Sequence, residues 1–192
     1  NGQATALRYR DKQGVETPRL AADDVSRVME AAAGILLYDH DRYLPAIAHL
    51  QNALPPAGSR SPSDAIVEYY LGNTYDVLGQ DTEAEAAYGQ AISLLAAEDP
   101  LPAQDRLLLA GADAQQAMLL FDDHQVGQAQ ALLMKAVALR TPLDEDPTPL
   151  SDPATARRFH GVYGQVYVSL LDIARYNKNT DDVALWSTRA QD

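Results

Sequence analysis

The 192-residue sequence contains no cysteine, which excludes disulfide staples, thiolate metal sites and a cysteine nucleophile. It is also short of positive charge: 15 Lys and Arg stand against 27 Asp and Glu, a formal net charge of -12. A surface this acidic repels phosphate backbones and anionic headgroups, which argues against nucleic acid and membrane surfaces as partners. No apolar run approaches the ~20 residues of a membrane span. No secretory leader pattern is visible, but the chain opens on Asn1 rather than Met, so that absence carries no weight. Cysteine absence does not separate the cytoplasm from extracytoplasmic compartments either. β-branched residues are few, while Ala and Leu dominate the 46% that is hydrophobic, a balance that favours helix over strand. The scattered glycines form no phosphate-binding loop. Nucleophile elbow, HExxH helix and paired catalytic carboxylates are missing as well. The expectation is a binding protein and not an enzyme, with no cofactor and no metal.

What positive charge there is begins the chain. Arg8, Arg10, Lys12 and Arg19 lie among Asp11 and Glu16, which reads as a solvated N-terminal arm over 1–21, with an anion site there as the alternative.

The remainder carries an internal repeat. Counting from Gly72, small or aromatic residues fall at Tyr75, Gly79, Ala84, Tyr88 and Ala91. The same offsets from Gly34 give Leu37, Asp41, Ala46, Leu50 and Ala53. From Ala117 they give Leu120, His124, Ala129, Leu133 and Ala136; from Leu171, Ala174, Lys178, Val183, Ser187 and Ala190. Two antiparallel helices pack closely only where small side chains let the backbones approach and larger ones fill the flanks. Gly72 with Ala84, and Gly34 with Ala46, are the expected small pairs. Gly79 suits a left-handed residue at a helix end.

Leu71, Gly72, Tyr75, Gly79, Ala84, Tyr88 and Ala91 resemble, in order, the signature of the tetratricopeptide repeat. The resemblance covers the chain from about Asp24 onward. It implies an all-α fold, a right-handed α-α superhelix of about four antiparallel hairpins (about 22–54, 62–97, 102–140 and 153–192), of the kind that binds peptides or protein surfaces. The spacing departs from that family. Its period is about 34 residues, whereas the four starting residues lie 38, 45 and 54 positions apart. The extra residues fall in Pro-rich joints at 55–62, 96–102 and 141–153.

Punctuation gives the helix limits: 22–39, 43–54, 62–78, 81–97, 102–122, 126–140, 153–176 and 180–191. Ser61 followed by Pro62 and Asp64, and Asp152 followed by Pro153, are helix starts. Gly161 and Gly164 leave open whether 153–176 is one rod or kinked. The last helix, with Val183, Leu185 and Trp186, either packs back on the stack or is continued by the natural chain.

Two of the four histidines lie in equivalent turns: His40 beside Asp39 and Asp41, and His124 beside Asp122 and Asp123. Metal ligation is one reading. The plainer one is that Asp and His suit turns and helix ends, since no closed ligand spacing is present. Asp144, Glu145 and Asp146 read as a solvated acidic linker, lacking the glycine and alternating oxygen ligands of a calcium loop.

In a hairpin stack the first helices line the concave face. That face would carry Tyr38, Tyr69, Asn73, Asp76, Met118, Phe121, Asp122, Asp172, Arg175 and Tyr176. From these, Tyr69, Asn73, Asp76, Met118, Asp122, Asp172 and Arg175 are the candidate partner-binding residues. The expected partner is a protein or peptide, basic with an apolar anchor. Each ring could equally be core between hairpins. Chaperone-binding members of the family grip a C-terminal carboxylate with Lys, Arg and Asn. Here only Asn73 matches, beside Tyr69, Gln115, Gln165 and Ser169, so no cation meets the carboxylate and that function is rejected. A structural spacer, or self-association, is the alternative function.

Overall fold

The computed structural model describes residues 8–10, 16–18, 22–96 and 98–191. The chain divides into two compact units, Asn1–Arg60 and Ser61–Asp192. Among the described residues, regular secondary structure is helical apart from one small hairpin. Within the expected arm, β1 (Arg8–Arg10) pairs antiparallel with β2 (Glu16–Pro18), with Tyr9 opposite Thr17.

The first unit continues with α1 (Ala22–Asp39) and α2 (Tyr43–Ala53), which pack on each other as an antiparallel pair. Gly34 makes that approach possible: a β-carbon there would lie 2.6 Å from Leu50 Cγ. Outside this contact, His49 Nδ1 and the Glu30 carboxylate tie the two helices at 2.7 Å.

The second unit holds α3 (Ala65–Val77), α4 (Asp81–Leu95), α5 (Ala103–Asp122), α6 (Val126–Ala138), α7 (Thr141–Glu145), α8 (Pro153–Tyr176) and α9 (Thr180–Arg189). α3 pairs with α4, α5 with α6 and α8 with α9; α5 also packs on α4, and α8 on both α5 and α6. The Ser61 start is real, but its first turn is a 3₁₀ helix over Pro62–Asp64, so α3 begins later than expected. There the Asp64 carboxylate accepts from the Ser61 N–H at 2.8 Å and from its hydroxyl at 2.9 Å. At α8 the Asp152 carboxylate accepts from the Thr155 N–H at 2.8 Å and its hydroxyl at 2.7 Å, satisfying one of the orphan donors at the helix start. α8 runs unbroken through Gly161 and Gly164. Trp186 packs back on α8, stacked against Tyr167 with 15° between ring planes.

The joint at 141–153 is not a bare linker. It folds into α7 and a 3₁₀ turn over Thr148–Ser151, because Leu143 is buried in the main core and Arg140 clasps Asp144 at 3.0 Å. Asp144 is thereby paired; Asp146 instead accepts from the Thr148 N–H at 3.1 Å.

The repeat is visible atom by atom in the turns. Asp41, Gly79, His124 and Lys178, the four residues at one offset, take positive φ of 56°, 69°, 61° and 56°. Each turn is closed by the same two backbone bonds. One runs from that residue to the carbonyl three before it, as in Gly79 N–H to Asp76 O. The other is six-to-one: Arg42 to Leu37, Gln80 to Tyr75, Gln125 to Leu120 and Asn179 to Ala174, at 2.7 to 2.9 Å. This is the Schellman closure of a helix. Three of the four positions hold a side chain where only glycine is unstrained. Replacing Lys178 by Gly is therefore expected to stabilise the fold by about 0.5–1 kcal/mol, and Gly79 by Ala to destabilise it by about 1 kcal/mol, read from urea midpoints.

Second-helix residues at the small and large repeat offsets form the core. Ala46, Leu50 and Ala53, Ala84, Tyr88 and Ala91, and Ala129, Leu133 and Ala136 are all buried. Val183, Ser187 and Ala190 of α9 are only half-buried, as fits the pass furthest from the pattern.

Candidate partner-binding site

The structure sorts the seven candidate residues into different environments. Tyr69 is half-buried, packed against Tyr88 at 6.1 Å between centroids and lying over Gly111 of α5. Asn73 is 7% exposed, and its Oδ1 accepts from the Tyr88 hydroxyl at 2.8 Å. That bond satisfies a buried phenol and occupies the amide oxygen inside the second hairpin. Met118 is half-buried on α5. Asp172 and Arg175 pair with each other at 3.2 Å one turn apart on the exposed face of α8. Phe121 and Tyr176 meet edge to face at 5.5 Å.

Asp76 and Asp122 are brought together. Both line a cavity of about 370 Å³ whose other walls are Asp81, Thr82, Glu85, Leu119, Leu120, Asp123 and Gln125. Five carboxylates face this space, and no Lys, Arg or His lines it. It sits at the turn end of the second and third hairpins, where the close of α3, the start of α4 and the close of α5 converge. Burial, and then the charges of Asp81 and Asp122, raise the Asp76 pKa above the usual aspartate value. The carboxylates therefore repel one another across the cavity.

The acids divide by cause. Asp81 belongs to the first turn of α4, where the helix dipole favours negative charge, and Glu85 follows one turn on. Asp76 and Asp122 sit in the last turns of α3 and α5, where it opposes negative charge, and neither turn holds a basic residue. Helix stability gives no reason for acids there. In the sequence Asp76 and Asp122 stand out as candidate binding residues and Asp123 only as a turn acid beside His124, while Asp81, Glu85 and Gln125 carry no such signal. The acidic turns were visible in sequence; which turn meets which helix start depends on the offset between hairpins.

Among the described residues, no group of three or more His, Cys, Asp or Glu is placed to hold a metal ion. Asp41 and His124 have a conformational role instead, as the left-handed residues of their turns. No described helix is long and apolar enough to cross a membrane. Compared with protein families and with curated proteins, the chain matches none.

Proposed function

We propose that the chain is a protein-interaction module, a tetratricopeptide-like stack that binds a basic segment of a partner protein at the acidic cavity. The reading rests on one observation: Asp76 and Asp122 share a cavity with three further carboxylates and no cation. Their placement at helix C-termini works against the helices that carry them, so a ligand with positive charge is the compensating partner. A Lys or Arg side chain entering the cavity would neutralise that repulsion, and Leu119 and Leu120 give its aliphatic stem an apolar wall. The repeated turn geometry supports the helical-hairpin part of that reading.

The test is affinity capture with the chain as bait, in parallel with a bait carrying Asp76→Lys and Asp122→Lys. A partner held by the parent at low salt is expected to be lost from the reversed bait and to weaken at moderate salt, where screening falls to about 8 Å. Equal capture by both baits would move the site elsewhere.

A second reading, self-association, is favoured by α1, which exposes Val28, Met29 and Leu36 to solvent. The solution mass as a function of concentration separates the two.

A further inference from the structure

A pocket of opposite character lies within the second unit. Arg140 sits over the rings of Phe159, Tyr163 and Tyr167, its Cζ 5.1, 5.7 and 5.8 Å from their centroids. It also donates to the Tyr167 hydroxyl at 3.0 Å and pairs with Asp144. Its charge is used inside the fold. Around this aromatic wall lie two cavities, of about 140 and 240 Å³, which share Arg140, Tyr167 and Arg189. The smaller is lined also by Phe159, Tyr163 and Gly164, the larger by Trp186.

Three residues set the character of this wall. Tyr163 is 2% exposed, yet its hydroxyl has no hydrogen-bond partner. A buried hydroxyl is normally satisfied by protein, water or ligand. Burial first, and then Tyr167, raise its pKa above the usual tyrosine value, so it stays a proton donor at neutral pH. Arg189 lines both cavities, and none of the hydrogen bonds or ion pairs among the described residues involves it. Gly164 stands mid-helix where a β-carbon would meet nothing within 4 Å. Glycine there weakens α8 without relieving any clash, and it leaves the cavity open.

Charge and size then define the occupant. Asp144 lines the larger cavity but is paired with Arg140, which leaves Arg189 as the cation open to a ligand. An apolar cavity of about 150 Å³ takes one benzene ring, so the smaller space admits a ring, and the shared edge at Arg189 admits one charged substituent. Flat walls favour a flat ligand through offset and edge-to-face ring contacts. We propose that this pocket binds a small aromatic monocarboxylate, with its ring among Phe159, Tyr163 and Tyr167 and its carboxylate on Arg189. This site is independent of the acidic cavity and of the function proposed for it.

Trp186, the chain's single tryptophan, lines the larger cavity and stacks on Tyr167, a wall of both cavities, so its emission is the readout. The probe is benzoate, titrated into the full chain while Trp186 emission is followed. Benzyl alcohol supplies the ring without the charge, and inorganic phosphate the charge without the ring. Benzoate is expected to give a saturable change, with either comparator at least about tenfold weaker. Arg189→Gln is expected to weaken benzoate about tenfold or more, and Gly164→Leu to abolish its binding by filling the cavity. Arg189 is exposed, so its variant tests the proposal even if Gly164→Leu fails to fold. No saturable change with benzoate, benzyl alcohol or phosphate binding equally well, or unaltered affinity in Arg189→Gln would each overturn the proposal.

Discussion

Replacing Asp113 by Asn is expected to stabilise the chain by about 3 kcal/mol at pH 8 and to change it little at pH 4. Asp113 lies on α5, 3% exposed, with Oδ1 unpaired, and burial raises its pKa to about 7 against the opposing pull of Lys135. The sign follows from proton counting. Between pH 4 and 7 the folded carboxyl keeps its proton while the unfolded one has lost it, so stability falls as pH rises through that window. Above about 7 both states are ionised, and the folded chain carries a buried charge whose attraction to Lys135 does not offset its desolvation. Asn keeps the shape and removes the charge. Urea unfolding at several pH values checks this: the parent should lose stability between pH 4 and 7, and the Asn variant should lose much less. Parallel curves for the two chains would show that Asp113 is solvated or paired.

Gly72→Ala carries the second large effect, a loss of about 2–3 kcal/mol despite the better helix propensity of alanine. A β-carbon on Gly72 would lie 2.5 Å from two carbons of the Tyr88 ring. That ring cannot step aside, because it is fully buried and its hydroxyl is held by Asn73 at 2.8 Å. The methyl group must therefore separate α3 from α4 or break that bond. Gly164→Ala is the internal control. It lies in a helix with open space around the new methyl, and should stabilise by about 0.5–1 kcal/mol. Thermal midpoints moving in opposite directions are the expected result, and a stabilised Gly72→Ala would show that the hairpin is looser than its contacts indicate.

These same residues show what the sequence could reveal. Gly72, Gly34 and Gly79 were legible because backbone approach and positive φ favour glycine, whereas Asp41, His124 and Lys178 take the same left-handed turn without its residue type. Proline spacing marked the helix limits because proline lacks the donor a helix interior needs. The small residue of each first helix, however, meets Tyr88 or Leu50 rather than standing only opposite an alanine. α7 was hidden because five residues carry no period, and burial of Leu143 with the Arg140–Asp144 pair fixes them. The strands beside Tyr9 and Thr17 are too short to show an alternation. Asn73 aligned with the concave face, but alignment says nothing of where an amide finds its hydrogen bond. The acidic cavity was half legible. Asp76 and Asp122 stood out as charges, while Asp81 and Glu85 join them only through the offset between two hairpins. The unpaired atoms of Asp113 and Tyr163 have no sequence signal, because they follow from what packs around them.

The acidic cavity is the centre of the functional reading, and the most direct measurement is to map a bound partner onto it. Backbone amide shifts would be recorded while a captured partner's basic segment is titrated in. Perturbations concentrated at Asp76, Asp81, Glu85, Asp122, Asp123 and Gln125, fading as salt is raised, are the expected result. Binding that leaves those amides unmoved and perturbs another face would contradict the assignment.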